Sequence, residues 1–282
     1  MANMGFLLFA PSFPHPFSDK LKAMAVRFKQ ENPKKLAPAT LKQQMLKQLI
    51  CSDAPEQALR YRGAILIAGI DEVGRGALWG PVVAAAVILP KSIASLAKAG
   101  LTDSKQLTRE DRERLDKRIR RIALAIAIAE IDAETIDRIN IYQATRQAML
   151  NAIRSLPIQP DHLLIDAMQL DHPCPQTRLF YGDSLSLSIA AASVIAKVHR
   201  DALCRDLHET YPQYGLASHK GYATPEHRKA LREYGPTPLH RRSFAPVRSA
   251  DPDQALKLEL ESGELFFDDA LLLEAPAEVA WA

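Results

Sequence analysis

Two adjacent carboxylates, Asp71 and Glu72, directly follow an apolar run, Ala64 to Ile70, and precede a Gly74-Arg75-Gly76 turn. The run is rich in Ile and Leu and lacks helix caps, so it reads as a buried strand. Ending a buried strand on two acids is costly, because an unpaired carboxylate loses its hydration. A bound cation is the usual remedy, and a solvated turn pair is the bland alternative. The neighbouring loop weighs against the bland one. Its glycines let the main chain approach a ligand closely, and the arginine between them brings a fixed positive charge. Two further acids, Asp166 after His162–Ile165 and Asp183 after Arg178–Tyr181, also stand at the ends of strand-like runs. An Asp in that place is commonly a turn former, so on residue type alone both readings stay open for them.

The segment Asp71-Glu72-Val73-Gly74-Arg75-Gly76 resembles the signature of type 2 ribonuclease H (RNase HII). These enzymes cut the RNA strand of RNA–DNA hybrids and nick DNA at single embedded ribonucleotides. Other segments match in the expected order: Asp103-Ser104-Lys105, Ile165-Asp166, Gly182-Asp183-Ser184, Ser188–Lys197, His219-Lys220-Gly221-Tyr222 and His240-Arg241-Arg242-Ser243-Phe244. The resemblance covers residues 62 to 248. It implies an α/β, ribonuclease H-like fold: a mixed five-stranded sheet flanked by helices, with a helical C-terminal part. It also implies that Asp71, Glu72, Asp166 and Asp183 are the catalytic acids and bind Mg²⁺ or Mn²⁺, two ions per site with substrate. Two such ions about 4 Å apart can activate water, relieve charge at the phosphate and stabilise the leaving oxygen. Hard carboxylate oxygens suit magnesium. By the same resemblance, Gly74, Arg75 and Gly76 sense the ribose 2′-hydroxyl, Ser104 and Lys105 contact phosphate, and Tyr222 packs on the sugar of the next nucleotide. Lys197, Arg241 and Arg242 are further phosphate candidates. Cleavage would fall 5′ of the ribonucleotide and leave 3′-hydroxyl and 5′-phosphate ends. Arginine at position 75 favours RNase HII over RNase HIII, which usually has lysine there.

Bringing acids together from distant segments requires a sheet. Ala64–Ile70 is expected as strand one and Pro81–Leu89 as strand two, antiparallel across a short Gly-rich connection. Thr108-x-x-Asp111 resembles a capping box that opens a helix to Ile122. The basic residues of that helix alternate with Glu110, Asp111, Glu113 and Asp116, which describes a solvated, salt-laced surface. Ala123–Ile131 alternates with period two, as a strand does. Asp132 can cap a helical region reaching Leu156, with a break near Asn140. His162–Ile165 and Arg178–Tyr181 are strands four and five. A long helix follows from Ser186 to Tyr211, and its small residues Ala190–Ser193 permit close packing on a sheet. Strands mixed with helices in this order indicate α/β.

The chain has 282 residues, 47% of them hydrophobic, enough for one substantial core. Its net charge of +3 is uneven. From Asp251 onward nine acids face one base, Lys257, a net −8, which leaves +11 on residues 1–250. A basic body suits a polyanionic partner, here RNA–DNA hybrid or ribonucleotide-containing duplex DNA. No apolar stretch nears the roughly 18 residues needed to span a bilayer, so no membrane partner is expected. Cys51, Cys174 and Cys204 are scattered without a Cys-x-x-Cys, which fits a reducing cytoplasm and offers no zinc site. His219, His227 and His240 could suggest zinc, but phosphate or core contacts fit better without a nearby cysteine. No Gly-x-x-x-x-Gly-Lys-Ser/Thr loop exists, which excludes a P-loop nucleotide hydrolase. Three segments are expected: an N-terminal extension at 1–61 with a short helix within residues 40–61, a catalytic domain at 62–248, and an acidic tail at 249–282. Gln254–Leu258 and Leu265–Phe267 loosely resemble peptides that dock on sliding clamps. A monomer is expected otherwise.

Overall fold

The computed structural model describes residues 49–251. The start of the helix expected within residues 40–61 and the clamp-like tail segments lie outside the described residues; the last part of that range is helical, over Ala54–Tyr61. The chain divides into two compact units, Met1–Ile50 and Cys51–Ala282; every element below belongs to the second.

Helix α1 (Ala54–Tyr61) precedes β1 (Ile67–Val73) and β2 (Val82–Ile88). Helices α2 (Ala94–Lys98) and α3 (Arg109–Ile122) lead to β3 (Ala125–Ile131). Helix α4 (Ala133–Arg154), β4 (His162–Asp166), β5 (Gln176–Leu179) and helix α5 (Leu187–Thr210) follow. Three short helices, α6 (Leu216–His219), α7 (Pro225–Tyr234) and α8 (Ala245–Arg248), complete the described chain. The sheet order is β3-β2-β1-β4-β5. Pairs β1–β2 and β2–β3 are antiparallel, and β1–β4 and β4–β5 are parallel. The mixed five-stranded sheet is therefore as expected, and it puts β1 at its centre.

Strand β2 shows why both faces are covered. Its Val82, Ala84, Ala86 and Ile88 join the core under α4, while Val83, Ala85 and Val87 join the core under α3 and α5. Successive side chains point to opposite faces, so a strand covered on both sides is apolar throughout rather than alternating. Helix α5 approaches β1 so closely that a Cβ on Gly69 would lie 2.1 Å from the Ser188 carbonyl carbon. Thr108 caps α3 by accepting from Asp111 N, and Asp132 caps α4 by accepting from Thr135 N. The break expected near Asn140 is present, with φ 65° at that residue. Asn140 Oδ1 accepts from Tyr142 N and Gln143 N, so it caps the second half of α4 from within.

Two strands differ from expectation. Strand β1 spans 67–73 rather than 64–70, so Asp71 and Glu72 lie inside it, paired with Ala85 and Ala84. Main-chain pairing carries a strand past the end of its apolar run. Likewise β5 is Gln176–Leu179, two residues earlier than the apolar pattern suggests.

Candidate active site

The acids meet where β1 and β4 run side by side. The parallel pairing ends at Ile70–Ile165, which brings Asp71 and Asp166 to the same edge. Asp166 closes β4, and its Oδ1 accepts from Gly182 N at 2.7 Å. That bond draws in the 3₁₀ turn Gly182–Ser184, which carries Asp183. Asp71 is 3% exposed, and its Oδ1 accepts from Glu72 N at 2.8 Å. Glu72 Oε1 accepts from Arg75 at 3.2 Å, while Glu72 Oε2 is buried without a partner among the described residues.

These groups hold one another in an unfavourable state. Burial, then the charges of Glu72, Asp166 and Asp183, push the Asp71 carboxyl well above its ordinary range. Burial raises Glu72, and Arg75 and Lys105 partly offset it. Asp166 rises to about 6, mainly through burial, with Gly182 N pulling down and Glu72 pushing up. Asp183 also rises to about 6, through burial and Asp103, against the pull of Lys105. Lys105 Nζ stands 3.4 Å from Asp183 Oδ2 and 3.9 Å from Asp103 Oδ1. Carboxylates that repel one another, with one oxygen left unpaired, fit a divalent cation. Among the described residues, no three His, Cys, Asp or Glu side chains form a ready-made cage.

A cleft of about 540 Å³ opens beside the acids. Glu72, the Gly74–Gly76 turn, Ser104, Lys105 and Tyr222 all line it, together with Arg112, Ser193 and Lys197. Asp71, Asp166 and Asp183 are not among its lining residues. Ser104 is almost wholly buried, its hydroxyl bonded to Ser193 Oγ at 2.9 Å. Tyr222 pairs its main chain with Ala77, and Gly221 O accepts from Leu78 N at 2.8 Å. The signature loop and the tyrosine segment are therefore one wall.

Two buried arginines brace that wall. Arg200 on α5 donates to the carbonyls of Pro81, Lys220 and Trp79 at 3.2, 2.8 and 2.9 Å. Its guanidinium lies 5.6 Å from the Tyr222 ring centre. Arg241 donates to the carbonyls of Gly80, Arg75 and Ala77. Arg241 is fully buried, so the reading of it as a phosphate contact is corrected: its Nε and Nη1 donate to the loop's carbonyls, and Nη2 is buried without a partner among the described residues. Arg242 donates its main-chain N–H to Asp137 and pairs its side chain with Asp251. Arg200 escaped sequence reading because an arginine on a helix resembles surface, and nothing local marks the carbonyls it meets.

His227 and His240 are buried in the core, and His219 is half-buried beside them. His227 Nε2 lies 3.2 Å from His240 Nε2, and His219 stacks on His227. Their other nitrogens face main-chain groups of Tyr214, Tyr222 and Thr237. Burial lowers His227 to about 4 and His240 to about 3, so both stay neutral. A larger groove of about 620 Å³ runs along α3 but contains none of the strand-end acids. That helix is laced by Arg109–Glu113, Arg114–Asp111 and Arg120–Asp116 pairs, the solvated surface expected of it.

A mixed five-stranded sheet with carboxylates on neighbouring central strands, beside a basic cleft, is the architecture of ribonuclease H-fold nucleases. The family model of ribonuclease HII matches residues 68–247. A ribonuclease HII from Koribacter versatilis is 56% identical over 229 residues, covering 81% of this chain and 89% of that protein. One from Geobacillus kaustophilus is 58% identical over 193 residues, covering 68% and 73%. Among solved structures, the ribonuclease H2 of Pyrococcus horikoshii superposes with a TM-score of 0.60 at 26% identity, covering 68% of this chain and 99% of that one. The chain in the PCNA:RNase HII complex of Archaeoglobus fulgidus gives 0.55 at 26% identity, covering 64% and 95%. The chain belongs to the ribonuclease HII family, and it is a ribonuclease H, a hydrolase. No helix among the described residues is long and apolar enough to cross a membrane.

Proposed function

We propose that the cleft hydrolyses the RNA strand of RNA–DNA hybrids and nicks duplex DNA 5′ of single ribonucleotides, leaving 3′-hydroxyl and 5′-phosphate ends. The observation that carries this reading is that Glu72, the Gly74-Arg75-Gly76 turn and Tyr222 line a single cleft. Metal ligands alone would cut DNA as readily as RNA, so selectivity needs groups that detect the ribose. Gly76 offers its main chain without obstruction, since a Cβ there would meet no atom within 4 Å. Tyr222 offers an aromatic face for the neighbouring sugar, backed by Arg200. Lys105 and Arg75 supply positive charge for the flanking phosphates.

Asp71, Glu72, Asp166 and Asp183 would hold Mg²⁺ or Mn²⁺, and the unpaired Glu72 Oε2 supports this assignment. When bound, these ions supply Lewis-acid charge relief at the phosphate. The chain's own part is to keep the acids converged, to seat the phosphates and to reject strands without a 2′-hydroxyl. The decisive assay is digestion of a duplex carrying one ribonucleotide, with Mg²⁺ or Mn²⁺, followed by mapping of both new ends. Cleavage of the all-DNA duplex at the same rate would refute the reading. The Archaeoglobus relative's complex with PCNA supports the same kind of contact here through residues 254–267. Loss of clamp binding on removing residues 252–282 would be the expected result.

A further inference from the structure

Helix α1 precedes the segment that the family model matches, yet one of its side chains ends directly behind the candidate site. Glu56 is 1% exposed. Its Oε1 accepts from Ser186 Oγ at 2.6 Å and from Ser188 N at 2.8 Å, across 130 and 132 positions of sequence. Ser186 is the N-cap of α5, and its own Oγ accepts from Ile189 N at 3.2 Å. The first amides of a helix have no partner within it. Here Ser186 takes one and Glu56 takes another, so α5 is capped by a residue from a different helix. The main chain fastens the same place: Ser52 N donates to Leu185 O, and Leu187 N donates to Ser52 O, each at 3.2 Å. Glu56 Oε2 is buried without a partner among the described residues, a cost that stability alone does not explain.

The clasped residues, 185–188, directly follow the turn Gly182–Ser184 that carries Asp183. The first residue of that turn, Gly182, orients Asp166 through its N–H. One short run of chain therefore connects Glu56 with two of the four acids. We propose that Glu56 is a positioning residue for the metal site: by capping α5 from outside, it fixes where Asp183 and the Gly182 amide stand. The inference rests on the reading of Asp166 and Asp183 as metal ligands. It also makes the working catalytic unit begin at about residue 51, upstream of the signature strand.

The test uses the full chain with Glu56→Ala and Glu56→Gln. Glutamine keeps an acceptor oxygen but loses the charge, and alanine loses both. The first readout is amide hydrogen exchange in EDTA. Glu56→Ala should speed exchange over residues 182–190 by about tenfold, the equivalent of about 1.4 kcal/mol, and leave the sheet little changed. The second readout is nicking rate against Mg²⁺ concentration. Half-saturating Mg²⁺ should rise several-fold, with KM for the hybrid unchanged. Glu56→Gln should show the same pattern at smaller size, because a neutral acceptor bonds more weakly than a charged one. If Glu56→Ala does not fold, the glutamine variant decides. A purely structural role would lower the plateau rate with the folded fraction and leave both the Mg²⁺ midpoint and local exchange at wild-type values, which overturns the proposal. A wild-type chain that cuts nothing at any Mg²⁺ or Mn²⁺ concentration would overturn the functional reading instead, while the exchange data still report on the clasp.

Discussion

Replacing Asp166 with asparagine should stabilise the metal-free protein while disabling it. The Asp166 carboxyl is raised from 3.8 to about 6 in the folded state. That rise is worth about 3 kcal/mol against folding at pH 8, since each pKa unit is about 1.4 kcal/mol. The sign follows from proton binding. Between about pH 4 and pH 6 the folded state holds a proton that the unfolded state has lost, so stability falls as pH rises through that window and stays low above it. Asparagine has no charge to desolvate, and its Oδ1 can still accept from Gly182 N. After allowance for imperfect mimicry, the gain should be about 1–3 kcal/mol at pH 8, or about 2–10 °C in Tm for a domain of this size. At pH 4.5 the gain should shrink to roughly a third, because the penalty has then mostly gone. The buried His227 and His240 act in the opposite sense, losing stability as pH falls below their unfolded pKa, but they do so equally in both proteins. The measurement is thermal unfolding of both proteins in EDTA at the two pH values, then with Mg²⁺ added. Mg²⁺ should raise the wild type more than the variant. A variant no more stable than wild type at pH 8, or a gain independent of pH, would refute the idea that burial holds the Asp166 carboxylate in an unfavourable state.

Asp71→Asn should lower turnover by at least about 100-fold, roughly 3 kcal/mol of barrier, while hybrid binding without metal weakens little; near-normal nicking removes Asp71 from the site. Hybrid affinity should fall by roughly 0.7 to 0.9 log units per log unit of salt for each phosphate neutralised, and Lys105→Ala should lower that slope by about one contact. Tyr222→Ala, which removes a face worth about 1–3 kcal/mol, should impair incision at a single ribonucleotide more than cutting within continuous RNA; an unchanged rate ratio returns Tyr222 to the core. Gly76→Val should keep wild-type Tm and lose cutting of every ribose-containing substrate. Gly74→Ala should instead lower Tm, because φ is 90° there and its Cβ would lie 2.3 Å from Arg200 Nε.

What the sequence made legible were features with local causes. The Thr108 and Asp132 caps, the Asn140 break and the two-faced apolar pattern of β2 all follow from residues within a few positions of one another. Asp71 and Glu72 stood out by their place after an apolar run and before a glycine-flanked arginine, whereas Asp166 and Asp183 were singled out only through resemblance, since an Asp ending a strand is commonly a turn former. Strand β1 was misplaced by three residues because the apolar run ends at Ile70 whereas pairing with β2 continues through Val73. Arg200, Arg241 and Glu56 depend on partners more than a hundred positions away in sequence for at least one of their bonds. Nothing in their own neighbourhoods distinguishes them from solvated charges, so their burial emerged only with the fold.

The bracing of the signature loop by Arg241 also sets an order of events during synthesis. Arg75 and the arginine that holds its carbonyl are 166 positions apart. At ribosomal speeds that interval lasts about 10–30 s. Throughout it the nascent chain carries Asp71 and Glu72 but lacks the side chain that holds the loop in place. The loop to which the proposed function assigns ribose recognition therefore gains this brace only after Arg241 has been made.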